Sequence, residues 1–199
     1  MANLCEKLIS DNIQASCENP IFAGLEQVAY IFNKSEVTSI TYAIDETTQA
    51  ENRFLLTGLS LKQGAKGYKI QNLGSEPFTG TTNDMETGTM ANKFNHTFVF
   101  TNPDNGALAA ATNTNIANGK FIVIYQNEYE GSDGTGKFEC CGAAKGAACT
   151  GQTQPNYGDA EGANTITLQE TGSPYQSQYF QYQGNDEMTT VEYLDSLCE

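Results

Sequence analysis

The sequence predicts a mainly β fold. β-branched and aromatic residues recur in short runs separated by Gly, Asn and Asp clusters. Several runs alternate apolar and polar residues, as a strand with one buried face does. Helical patterning is confined to a few short stretches, so helices flank the sheet rather than build the core. At 199 residues the chain makes one ordinary domain, long enough to bury a hydrophobic core, and its strand inventory suits a sandwich.

Taken in order, residues 1–24 carry a one-sided stripe of Leu4, Cys5, Leu8 and Ile9, which reads as a small helix or an arm that docks on something. Gln27 to Phe32 and Val37 to Ile44 are strand-like and read as a hairpin turning at Asn33 to Glu36. Arg53 to Leu56, Leu59 to Leu61 and Gly67 to Gln71 follow, the last with Tyr68 and Ile70 alternating against polar neighbours. Asn72 to Asn92 is rich in Gly and Thr around Phe78, Met85 and Met90, and is expected to be a long loop or extended hairpin. Too long for a tight turn, it is expected to order on assembly by packing those three anchors onto a neighbouring subunit.

Phe94 to Thr101 places Phe94, His96, Phe98 and Phe100 on one face of a strand. His96 therefore reads as a packed or hydrogen-bonded core histidine, and no Ser, Cys or carboxylate partner for it can be nominated. Asp104 to Asn118, with alanines and Leu108 in its first half and Asn118-Gly119 as a stop, predicts a helix lying on the sheet. Lys120 to Tyr125 is an almost unbroken apolar run, the pattern of a strand buried on both faces. Glu130 to Gly136 is a turn cluster, so Lys137 to Cys141 is expected to pair back on Phe121 to Tyr129. The glycines of that turn do not make a phosphate loop, since the Lys followed by Ser or Thr is missing and Glu130 and Asp133 sit where phosphate would go. Gly142 to Gly162 reads as loop, Asn164 to Gln169 as a strand, and Ser177 to Gln183 as a short strand. Thr189 with Glu192 three residues on is a capping box, and Val191, Leu194 and Leu197 then mark a short C-terminal helix over 186–199.

Charge and composition narrow the function. Twenty-four acidic against 10 basic residues leave a net charge of −14, which repels phosphate and anionic membranes. No stretch approaches the roughly 18 consecutive apolar residues of a membrane span, and the start lacks a secretory pattern, so synthesis and folding in a reducing cytoplasm are expected. There Cys5, Cys17, Cys140, Cys141, Cys149 and Cys198 are thiols by default, and their spacing makes a poor zinc site. No nucleophile with an activating base, no paired carboxylates and no calcium-loop pattern can be nominated, so no catalytic residue, metal or cofactor is expected. Tyr175, Tyr179 and Tyr182 form an aromatic patch that suits strand-face packing or a partner.

Several stretches resemble small tail-tube-like structural proteins of tailed bacteriophages and prophages of anaerobic gut bacteria. They are Met1 to Asn12, Gly67-Tyr68-Lys69, Pro77 to Thr81, and Ala117 to Ile124 ahead of Glu128 to Ser132. The likeness spans most of the chain as pattern and contains no chemical motif. It implies a β-sandwich or partly closed barrel with one flanking helix, whose copies form hexameric rings stacked into a tube, alongside other tail proteins. DNA would pass through unbound by sequence, and an acidic lumen would not grip it. The assembly residues it draws attention to are Phe78, Met85, Met90, Leu4 and Leu8. Capsid decoration and tail-completion proteins share these features, and an adhesin or glycan-binding module is the rival class.

Overall fold

The computed structural model describes residues 25–46, 48–71, 78–102, 104, 106–153, 164–184 and 188–199. The molecule is mainly β. Its strands are β1 (Leu25–Asn33), β2 (Val37–Ile44), β3 (Glu51–Leu61), β4 (Tyr68–Gln71), β5 (Phe78–Glu86), β6 (Lys93–Asn102), β7 (Lys120–Asn127), β8 (Phe138–Cys141), β9 (Ala147–Thr153), β10 (Asn164–Ser173) and β11 (Gln178–Phe180). The helices α1 (Ala107–Ala117) and α2 (Thr190–Ser196) accompany them. Through shared strands they form one open sheet in the order β2-β3-β11-β8-β7-β9-β10-β6-β5, and β1 pairs with both β4 and β7.

β7 organises the whole. Phe121, Val123 and Tyr125 point into one core with Ala29, Ile31, Phe98, Phe100, Ile166 and Leu168. Ile122 and Ile124 point the opposite way, into a second core with Tyr30, Phe32, Leu56, Phe138, Phe180 and Leu194. The unbroken apolar run is therefore what a strand needs when both of its faces are covered. β1 obeys the same rule, since Ala29 and Ile31 enter the first core and Tyr30 and Phe32 the second. The result is sandwich-like: a central layer of β1, β7 and β8, with the β9-β10-β6 side over one face and the β3-β11 side with α2 over the other.

The expected hairpin of β1 with β2 does not form. β1 pairs antiparallel with β7 and β4, while β2 pairs with β3, and a 3-10 turn at Lys34–Glu36 separates them. The physical reason is their different demand for burial: β1 needs cover on both faces, whereas β2 alternates between half-buried and exposed positions and belongs at an edge. The expected pairing of β7 with β8 does form, with Val123 opposite Cys141 and Gln126 opposite Phe138.

Of the two alternatives for 72–92 the extended hairpin holds over the described residues, and 142–162, expected as loop, contains a strand. Within 72–92, β5 runs antiparallel to β6 from Phe78 opposite Phe100 to Glu86 opposite Lys93, so the described part is an extended hairpin. Within 142–162, β9 runs from Ala147 to Thr153 and pairs with both β7 and β10. Low apolarity left the first open and concealed the second, because a strand needs few large side chains once its backbone is paired and its neighbours supply the core.

α1 begins after Gly106, whose N–H donates to Asp104 Oδ1, and ends where the Asn118 and Gly119 N–H groups bond Asn115 and Ile116 carbonyls. It buries Ala109 and Asn113 while Leu108 faces outward, and Ile116 packs on the first core. α2 carries the expected reciprocal cap: Glu192 N–H donates to Thr189 Oγ1 and Thr189 N–H to Glu192 Oε2. Leu194 is fully buried beneath it, and Tyr193 donates from its hydroxyl to the Leu59 carbonyl at 2.7 Å, tying the helix to β3.

Candidate functional sites: a buried polar cluster and an apolar groove

β8 and β9 run along the same edge of β7, β8 beside residues 123–126 and β9 beside 120 and 121. Between them, residues 142–146 form a corner, buried at Gly142, Ala143 and Gly146, at which the sheet divides toward its two halves. Gly142 and Gly146 hold φ of +93° and +84°, the left-handed region that glycine adopts without a Cβ penalty. At Gly142 a Cβ would lie 2.2 Å from the Phe121 carbonyl oxygen, so space as well as torsion requires glycine.

Two side chains secure this corner. Glu170, on β10, accepts the Gly142 N–H at 3.1 Å and the Lys145 N–H. Lys34 donates from Nζ to the Ala143 carbonyl at 2.6 Å. Glu170 is fully buried and sits opposite His96 of β6, with Nδ1 3.3 Å from Oε2. The other ring nitrogen, Nε2, lies 2.8 Å from the Tyr175 carbonyl. A carbonyl only accepts, so Nε2 carries a proton, and Nδ1 facing a carboxylate favours a second one. Burial, the largest single influence, opposes charge on His96, but the hydrogen bond and attraction of Glu170 with the Tyr175 carbonyl outweigh it and raise the pKa. Burial likewise opposes charge on Glu170, and the bonds from His96 and the Lys145 and Gly142 amides outweigh it and lower the pKa. With His96 protonated the two form an imidazolium–carboxylate ion pair, and their polar atoms are committed to the fold.

Beside it, Asn83 on β5 donates to Glu139 Oε1 at 2.8 Å and to Ser177 Oγ at 2.6 Å, joining the β5-β6 hairpin to β8 and β11. Cys141 donates from Sγ to the His96 carbonyl at 3.5 Å. Burial pushes the Cys140 and Cys141 thiols well above their ordinary range, which keeps them as thiols rather than nucleophilic thiolates.

The reading of His96 as a hydrogen-bonded core residue matches this geometry, but the sequence search did not nominate Glu170. A signal existed: inward positions Asn164, Ile166 and Leu168 continue at period two to Glu170, one step beyond the predicted strand end. Of the assembly residues, Met85 is exposed opposite Phe94, and Met90 is fully exposed in the turn between β5 and β6. Phe78 opens β5, and Leu4 and Leu8 lie outside the described residues. The tyrosine patch is dispersed: Tyr175 packs edge-on against Phe54, while Tyr182 stacks on Tyr193 at 4.0 Å between ring centres. Cys140 and Cys141 are buried, Cys149 and Cys198 half-buried, and all four are free; Cys5 and Cys17 lie outside the described residues.

The second feature is a groove of about 580 Å³ between β4 and α1. Its floor is the end of the first core, formed by Ile31, Ile70, Phe100, Ile116 and Phe121. No helix among the described residues is long and apolar enough to cross a membrane. Comparison with known proteins returns no matching family model, no matching curated protein and no matching solved structure.

Proposed function

We propose that this chain is a virion structural subunit of a tailed bacteriophage, the tail-tube protein, which acts by associating with copies of itself into stacked rings around a DNA conduit. The observation that carries the reading is the open sheet: among the described residues β2 pairs only with β3 and β5 only with β6, leaving both ends of the strand order as edges. Unpaired edges are templates for pairing with another chain. Apolar side chains stand exposed beside them, Ile44 at the end of β2, Met85 near the end of β5 and Met90 in the turn that follows it. The buried His96–Glu170 pair serves the fold in this reading, and the role of the protein is architectural rather than catalytic. A net charge of −14 suits a conduit wall that does not hold phosphate.

Negative-stain electron microscopy of the purified protein, across a range of concentrations and salt, tests this. Rings or tubes of uniform diameter are expected. A protein that remains monomeric by sedimentation at the highest soluble concentration refutes the proposal. Association into compact closed dimers points instead to a decoration or completion role.

A further inference from the structure

We propose that residues 1–24 of this chain dock in the groove between β4 and α1, with Leu4 and Leu8 against its apolar floor. The inference does not rest on tube assembly. Three observations carry it.

The floor residues Ile31, Phe100 and Phe121 belong to the first core, so a cover over them extends that core. β4 lines the groove with all four of its residues and pairs only with β1 among the described residues, so its second edge can accept backbone partners. The Asn115 amide stands at the rim, able to bond a segment in any backbone conformation, whereas the Asn33 and Asn102 side-chain amides donate to Glu36 and Asn113. Charge does not oppose it: none of the described lining residues is Asp or Glu, in a chain with 24 acidic residues, and the one lining lysine, Lys69, is paired with Asp195 at 2.9 Å. Residues 1–24 bring Glu6, Asp11 and Glu18 against a single Lys7.

Reach decides which copy of the segment occupies the site. Gln71, at one end of the groove, pairs with Val28, three residues into β1 from Leu25. At ~3.3 Å per residue the near end is therefore about 10 Å from the point where the segment joins the sheet. Twenty-four residues extend to about 80 Å, so every part of the groove is accessible in cis. A short tether holds its ligand at roughly millimolar effective concentration, which outcompetes a second copy at micromolar concentration.

Cross-linking in the full chain tests the proposal. Cys5 adjoins Leu4, so a thiol introduced by Ile116→Cys, or at the exposed rim by Thr112→Cys should the first variant fold poorly, is expected to form an intrachain disulfide with Cys5 or Cys17 under mild oxidation. The yield should be the same in dilute and concentrated protein, and Ser60→Cys, exposed on β3, should stay unlinked. Links that are only intermolecular, no links in either groove variant, or equal linking at Ser60→Cys each overturn it. Adding Leu4→Asp and Leu8→Asp should speed maleimide labelling of the Ile116→Cys thiol at least about tenfold, equivalent to ~1.4 kcal/mol of docking. An unchanged labelling rate also overturns the proposal.

Discussion

His96 and Glu170 face each other across β6 and β10 with Nδ1 3.3 Å from Oε2, their side chains 3% and 0% exposed. Glu170 simultaneously takes two backbone amides of the corner between β8 and β9, so one carboxylate links the histidine to the point where the sheet divides. Removing Glu170 leaves the Gly142 and Lys145 amides and the buried imidazole of His96 without their acceptor. Glu170→Ala should therefore cost about 3–5 kcal/mol in urea unfolding. A loss below about 1 kcal/mol, the range of an exposed ion pair, contradicts the role assigned to the pair.

The same pair sets a pH window. The His96 pKa is raised, so its contribution is complete below the ordinary histidine value of about 6.5 and is lost as pH rises through the folded value. The Glu170 pKa is lowered, so its contribution is complete above the ordinary glutamate value of about 4.3 and is lost as pH falls through the folded value. Stability from this pair is thus greatest between about pH 4.3 and 6.5. Melting temperatures measured from pH 4 to 9 should decline on the alkaline side, and His96→Gln should flatten that decline. An identical alkaline slope in the variant assigns the decline to other groups.

Glycine substitutions separate torsion from space. Gly142→Ala meets a φ of +93° and the Phe121 carbonyl at 2.2 Å, whereas Gly134→Ala meets a φ of +74° with nothing within 4 Å. Gly134→Ala should cost only the left-handed torsion, about 1–2 kcal/mol, and Gly142→Ala distinctly more. Equal losses by thermal or chemical denaturation contradict the tight corner.

Cysteine chemistry is expected to be dispensable. Cys140 and Cys141 are adjacent and so enter opposite cores, while Cys149 is half-buried. Replacing all three by Ala should leave a folded protein weakened by packing loss, about 1–3 kcal/mol. Stoichiometric zinc in the purified wild type, or unfolding by a chelator, contradicts this expectation.

The β5-β6 hairpin changes how its role in assembly is tested. A deletion of residues 75–90 would remove the whole of β5, which pairs with β6 from Phe78 to Glu86, so loss of folding in such a variant would carry no message about assembly. Met85→Glu with Met90→Glu changes exposed side chains instead and should shift stability by no more than about 0.5 kcal/mol each. Rings or tubes are expected to weaken in electron micrographs of this variant, and assembly indistinguishable from wild type removes both methionines from the interface.

Strong apolar periodicity made the strands at Lys120 to Tyr125 and Asn164 to Gln169 legible from residue order, because a buried face leaves a period of two or a continuous run; the structure carries them on to Asn127 and Ser173. Residue order also determined the cap of α2, since Thr189 and Glu192 recognise each other within one helical turn. Only tertiary structure settles that β1 pairs with β7 rather than β2, because β1 is covered by a core on each face and takes a central place in the sheet, whereas β2 is half-buried at best and lies at an edge. Tertiary structure alone revealed β9 and chose the hairpin over the loop for β5, both strands whose stability comes from backbone pairing and neighbouring side chains rather than from their own composition. His96 was legible as a core residue from the aromatics around it, but its partner lies 74 positions away, and only the register of β6 against β10 places Glu170 opposite it. Residue type and spacing describe what a segment needs locally; which distant charge satisfies a buried imidazole is decided by the pairing of strands.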